Sequence, residues 1–122
     1  MCEQCGCGQE NQFPDARAVD LESMVEYAQG SVVSRTLLDA GSGTLTLFAF
    51  DEGESLSEHT TPYDAYVQVL DGEVILTIGD QKLCAGKGQM VKMPADVPHS
   101  VRAPQKFKML LTMIKGEGDG KG

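Results

Sequence analysis

The chemistry in this chain has to begin with its two histidines, His59 and His99, the only ones it has. A neutral imidazole carries one N–H donor and one lone pair, so two imidazoles brought together can hold a metal ion or hydrogen-bond a small ligand. His59 opens the stretch His59-Thr-Thr-Pro-Tyr-Asp-Ala-Tyr-Val-Gln-Val-Leu-Asp-Gly72, an apolar β-like run that ends in the turn signal Asp71-Gly72. His99 closes Pro94-Ala-Asp-Val-Pro-His99, which follows a Gly-rich turn and an apolar run. Tyr63 and Asp64 lie beside Pro62, near the same mouth, where either could bond a substrate or orient an imidazole. The alternative is that both serve only the Pro62 turn.

Sulfur forms a second constellation. Cys2, Cys5 and Cys7 make C-x-x-C-x-C, a spacing that brings thiolates onto one soft metal ion. A closed zinc site takes four ligands, so the fourth would come from another subunit or from Cys84; without it the segment is an oxidisable tail. Cys84 itself, next to Ala85-Gly86 and with no histidine close in sequence, is expected to be a buried, inert thiol.

The elements that must position these groups are short and mostly β. Segments 31–38 and 44–50 are rich in β-branched and aromatic residues, and residues 39–43 between them suit a hairpin connection. Further strands are expected after His59, over 73–78, 82–85, 89–93 and 99–103, and from 106 to 114, which makes about eight or nine in all. Asp20 to Tyr27 is expected to form one helical turn capped by Asp20. Gly/Pro turns recur between short strands, which is the pattern of an all-β sandwich or barrel. Residues 1–12 are expected to be a flexible cysteine-containing tail, 13–114 the β domain, and 115–122 a Gly-rich disordered tail.

Period-two alternation ranks the inward side chains. If position 65 points inward, Val67 and Val69 follow it, while Tyr66, Gln68 and Leu70 point outward and suit contact with a second copy. If His99 points inward, so do Val101 and Ala103. In the last strand the inner set is either Met109, Leu111 and Met113 or Leu110, Thr112 and Ile114, and the methionine set is preferred. The resulting pocket is mainly apolar, with the two histidines as its polar groups.

Composition narrows the partners. The chain has 122 residues, enough for one core without disulfides. Its 18 acidic and 10 basic residues give a net charge of −8, which disfavours nucleic acid and anionic membranes. No apolar run approaches the roughly 20 residues of a membrane span, and the polar start does not resemble a signal peptide, so a cytoplasmic location is expected. The motifs G-x-S-x-G, G-x-G-x-x-G and the P-loop are absent from the sequence.

At this level of detail residues 30 to 114 resemble the cupin superfamily, small jelly-roll barrels of the double-stranded β-helix type. Gly53, five intervening residues, His59 and finally Gly72 follow the family's first motif; Gly88, Pro94 and His99 follow its second. The resemblance implies a metal ligand at His59 and at His99. It also implies two departures, because the second histidine of H-x-H falls on Thr61 and the glutamate on Ala65. Asp96 and Ala103 replace the second motif's glycine and asparagine. A longer spacing would place Glu58 and Thr60 on the H-x-H positions and make Glu58 an oxygen ligand.

Three functions follow from the resemblance. The first is a metal-dependent enzyme, with Zn, Fe, Mn or Ni held between His59 and His99, acting as a dioxygenase, isomerase or decarboxylase. The second is a non-catalytic barrel that binds a small molecule. The third is a structural barrel with the cysteine tail as a metal or redox element. A homodimer is expected under all three.

Overall fold

The computed structural model describes residues 13–115. Nine strands form there: β1 (Val32–Ala40), β2 (Gly43–Phe50), β3 (Ser55–His59), β4 (Asp64–Asp71), β5 (Glu73–Ile78), β6 (Gln81–Gly86), β7 (Met90–Met93), β8 (His99–Arg102) and β9 (Phe107–Ile114). They assemble into a five-stranded sheet in the order β1-β2-β9-β4-β7 and a four-stranded sheet in the order β3-β8-β5-β6, with every pairing antiparallel. Non-sequential neighbours such as β2-β9-β4 make this a jelly roll rather than a meander.

Alternation fixes what each strand buries. Along β4, Ala65, Val67 and Val69 enter the core between the sheets. They meet Val74 and Leu76 of β5, Ala85 of β6, Met93 of β7, Val101 of β8 and Met109 of β9. Phe50 and Phe107 are register partners, and their rings stack with centroids 4.5 Å apart. This pair fills the interior at the Phe107 end of β9, so any cavity has to lie toward Met113.

The hairpin between β1 and β2 is tighter than the sequence suggests. Both strands extend to a two-residue turn, Gly41-Ser42, because a bulge between Thr36 and Leu38 lets β1 continue in register. Gly72, between β4 and β5, has φ +76°, and a Cβ there would overlap the Lys106 carbonyl oxygen. Both the backbone conformation and the contact therefore demand glycine.

β2 is apolar on both faces, which means that both faces are covered. Phe48 and Phe50 point inward, while Leu45, Leu47 and Ala49 point outward into a second cluster with Leu70, Leu110 and Leu37. The cover is the chain's own segment before β1. It makes one 3₁₀ turn, Leu21–Met24, and lays Leu21, Met24, Val25 and Tyr27 on the outer face. The turn begins after Asp20 as expected, but the Asp20 side chain makes no cap. The Asp20 carbonyl accepts from the Ser23 N–H and hydroxyl, and Val25 is already extended.

Polar bonds fasten this strap. Lys108 Nζ donates to the Glu22 carbonyl at 2.6 Å and lies 5.0 Å from the Tyr27 ring centroid. Tyr27 donates its hydroxyl proton to Asp71 Oδ2 at 2.6 Å. Burial, together with the Asp71 carboxylate, pushes the Tyr27 phenol far above its usual range, so it stays a neutral donor. Arg35 Nη1 adds a bond to the Met24 carbonyl at 2.9 Å. Leu70, expected to face a second copy, is thus packed against the strap instead.

Cys84 corrects a second expectation: it is exposed. Its neighbours Leu83 and Ala85 take the inner face of β6, and alternation turns Cys84 outward. Cys2, Cys5 and Cys7 lie outside the described residues, as do residues 1–12 and all but Lys115 of the tail expected over 115–122; the Lys115 N–H donates to the Ser42 carbonyl at 2.8 Å. Among the described residues no helix is long and apolar enough to cross a membrane.

Candidate functional site

A cavity of about 50 Å³ opens between the sheets at the Met113 end of the barrel. β3 and β8 contribute Leu56, His59, His99 and Val101 from one sheet. β4, β7 and β9 contribute Ala65, Met93, Met109, Leu111 and Met113 from the other, and Thr61 lies on the loop between β3 and β4. At roughly 10–15 Å³ per water this volume holds about three to five waters. A guest of a few heavy atoms fits, as does the tip of a larger one.

The two histidines meet because β3 is bulged. Leu56 pairs with Val101, and the next pair is His59 with His99. Three steps on β3 therefore match two on β8. Without the bulge, counting by twos from the inward Leu56 would bring Glu58 to the inner face. With it, His59 is inward and Glu58 is exposed and off the cavity wall. The oxygen-ligand role expected for Glu58 is thereby corrected. The imidazole centroids are 4.5 Å apart, edge to face at 75°.

Both rings are oriented in the same way. His59 Nδ1 lies 3.0 Å from the Ser57 carbonyl, and His99 Nδ1 lies 3.1 Å from the Val97 carbonyl. A carbonyl oxygen can only accept, so this network assigns the proton to Nδ1 in each ring. In the neutral ring Nε2 is then an unprotonated lone pair. His99 is buried and His59 is exposed at the rim. Burial pulls the His99 pKa below 6.5, and the neighbouring His59 adds to the effect; the Val97 carbonyl opposes it. His99 is therefore neutral at neutral pH.

Tyr63 and Asp64 were expected at the mouth as ligand-binding groups, but neither lines the cavity. Asp64 is the residue before the inward Ala65 and so points away. Its Oδ1 accepts from the Ala95 N–H at 2.9 Å and its Oδ2 lies 3.7 Å from Lys92 Nζ, which pins the loop before His99. Tyr63 is held through its backbone by the Thr61 hydroxyl, and its ring lies under Lys115 Nζ. The loop is further tied by Asp96 N–H to the Thr61 carbonyl at 2.8 Å, with Asp96 at φ 65°, a conformation that aspartate tolerates better than most residues.

Met109 and Met113 do line the cavity, and Met93 joins them, a residue not singled out from the sequence. Its signal lies in register, since Ala65 pairs with Met93 on one side and with Met113 on the other. Neighbouring strands cannot be aligned from a single sequence, so this row stays hidden until the sheet is built.

The match to known families follows this geometry. Residues 46–115, from β2 to just past β9, match the family described as "Cupin domain". The chain belongs to the cupin family. A conserved Streptococcus pyogenes protein of unknown function is 32% identical over 93% of this chain and 100% of that one, with a TM-score of 0.83. A cupin superfamily protein from Desulfitobacterium hafniense is 28% identical over 89% of this cupin and all of its own chain, at TM-score 0.81. A cupin 2 conserved barrel domain protein from Leptotrichia buccalis is 38% identical over 80% of this cupin and 47% of its own chain, at TM-score 0.78. A comparison with curated proteins finds no match.

Cupins often bind metal, so the lining of this one can be tested against the family's donor set. Thr61 and Ala65 line the cavity where the second histidine and the glutamate would stand. Among the described residues no three His, Cys, Asp or Glu side chains are grouped to share an ion. A zinc site wants four such donors, and Fe, Mn or Ni more, with oxygen among them. The lining does not fit a divalent ion of that kind.

Proposed function

We propose that this cupin is a binding barrel that takes a small, electron-pair-accepting guest through His59 and His99. The guest is either a metal ion or a molecule with an O–H or N–H donor. One observation carries the reading: both Nδ1 protons are spent on backbone carbonyls, which leaves two Nε2 lone pairs for a guest in a cavity walled, apart from Thr61, by apolar side chains. The cavity volume limits that guest to a few heavy atoms. Dioxygenase, isomerase or decarboxylase chemistry at a divalent centre draws no support from Thr61 and Ala65.

The test is thermal. The full chain carrying Cys2→Ser, Cys5→Ser and Cys7→Ser is titrated with Zn²⁺, Cu(I) and alcohol and amide fragments of up to six heavy atoms. At a hundredfold excess over Kd, a guest stabilises by about 2.7 kcal/mol, a rise in Tm of about 10 °C or more for a chain of this size. The rise should vanish in His99→Ala and in His59→Ala. A panel that shifts nothing, or a shift that survives both replacements, contradicts the reading.

A further inference from the structure

The wall of the cavity offers lone pairs and no spare side-chain protons. Its polar side chains are His59, His99 and Thr61. Each imidazole spends its Nδ1 proton on a backbone carbonyl, that of Ser57 for His59 and that of Val97 for His99. The Thr61 hydroxyl donates to the Tyr63 carbonyl at 3.0 Å and accepts from the Tyr63 N–H at 3.3 Å. Every side-chain donor on the wall is therefore in use. The rest of the wall is aliphatic or thioether, and register sets its shape. Ala65 is the middle of a cross-strand row with Met93 of β7 on one side and Met113 of β9 on the other, all on the inner face. Opposed side chains in such a row stand about 5 Å apart at Cβ. A longer side chain at position 65 would fill the space between the two methionines, and alanine leaves it open.

We propose that the guest is an aliphatic alcohol, its hydroxyl donating to the imidazoles and its carbon chain lying against the methionines, and that Ala65 sets how much of the chain enters. The inference rests on the reading above and names the chemical class of its guest. Counting donors against acceptors selects the head group. A hydroxyl brings the proton that an imidazole lone pair needs. A ketone or a carboxylate brings only acceptors, which no free side-chain donor on the wall can satisfy, and an amide brings one such acceptor along with its donors. An ammonium brings donors, but among the described residues no acidic side chain lines the cavity to pair with its charge. The apolar lining selects the tail. Methionine is unbranched and adaptable, so it can follow a flexible chain closely. The cavity volume of about 50 Å³ limits the buried part of that chain to a few carbons.

The experiment titrates the full chain, carrying ¹³C at its methionine methyl groups, with ethanol, 1-propanol and 1-butanol. The methyl signals of Met93, Met109 and Met113 should move, while that of Met90, exposed on the outer face, should stay. Each added methylene should tighten binding about fourfold. Butanone, propanamide and propanoate, which match 1-butanol in heavy atoms, should bind about tenfold more weakly. Ala65→Val should weaken 1-butanol about tenfold and leave ethanol within about twofold. Ala65→Gly, which widens the gap, should tighten 1-butanol, and it serves as the test if the valine variant does not fold. Cavity methyl signals that ignore 1-butanol, butanone or propanamide binding as tightly as the alcohol, or unchanged chain-length preference in the Ala65 variants overturns the inference. If propanamide or Zn²⁺ then still binds, and that binding is lost in His99→Ala, the binding-barrel reading stands and only the alcohol falls. If nothing binds, both fall.

Discussion

Two polar side chains are buried among the described residues, Lys108 at 8% and His99 at 3% exposure, and they lie on opposite sides of the five-stranded sheet. Lys108, on the outer side, spends its charge on protein partners. Its ammonium donates to the Glu22 carbonyl and rests against the Tyr27 ring, whose hydroxyl is bonded to Asp71. His99, on the inner side, is half satisfied. Nδ1 is bonded to the Val97 carbonyl, and the ring lines the cavity with the His59 imidazole 4.5 Å away between centroids. A buried group whose partners all belong to the protein holds the fold together, whereas one that lines a cavity is available to a guest. The strap region therefore serves the fold, and the Met113 end of the barrel is where the proposed guest would sit.

The comparison can be broken by mutation, and the largest effect belongs to the outer side. Lys108→Met keeps the apolar stem but leaves the Glu22 carbonyl and the strap without their charged donor. It should cost about 2 kcal/mol in denaturant unfolding, with guest binding intact. Tyr27→Phe removes only the bond to Asp71 and should cost about 1 kcal/mol by the same measurement. His99→Leu should move stability at neutral pH by less than about 1 kcal/mol, since a lost bond to Val97 is offset by apolar burial, yet abolish binding. Equal destabilisation by the Lys108 and His99 variants would erase the distinction.

The pH dependence sharpens the same contrast. The folded state holds the His99 pKa below 6.5, so the unfolded chain binds the proton more readily. That contribution to stability is fully present above pH 6.5 and is lost as pH falls from there through the lowered folded value. His99→Leu should flatten this part of the stability curve, and Lys108→Met should leave its shape unchanged. A curve with the same acid slope in His99→Leu as in the parent chain would show that other groups carry it.

Much of the fold was legible because it rests on short-range rules. Alternation in Ala65-Tyr-Val-Gln-Val69, turn residues at Asp71-Gly72 and Gly88, and the two cupin motifs are all written in the order of residues. What stayed hidden depends on how distant strands are matched. The bulge that selects His59 over Glu58 exists only where β3 meets β8, and the Met93–Ala65–Met113 row only where three strands align. The strap was hidden for another reason: residues 13–30 have neither helical nor strand periodicity, and their apolar groups make sense only against the outer face of β2. Tyr63 and Asp64 were read as site residues by proximity in sequence, but Asp64 lies one step out of phase with Ala65 and serves the loop.

The proposed binding requires that His59 and His99 both present an unprotonated Nε2 to the cavity. Long-range ¹⁵N–¹H correlation spectra of the imidazoles test it directly in the guest-free protein at pH 8. The account predicts that both rings show a protonated Nδ1 and a pyridine-like Nε2, and that adding a guest moves both Nε2 signals together. A pyridine-like Nδ1 in either ring, or a guest that moves neither Nε2 signal, would contradict it.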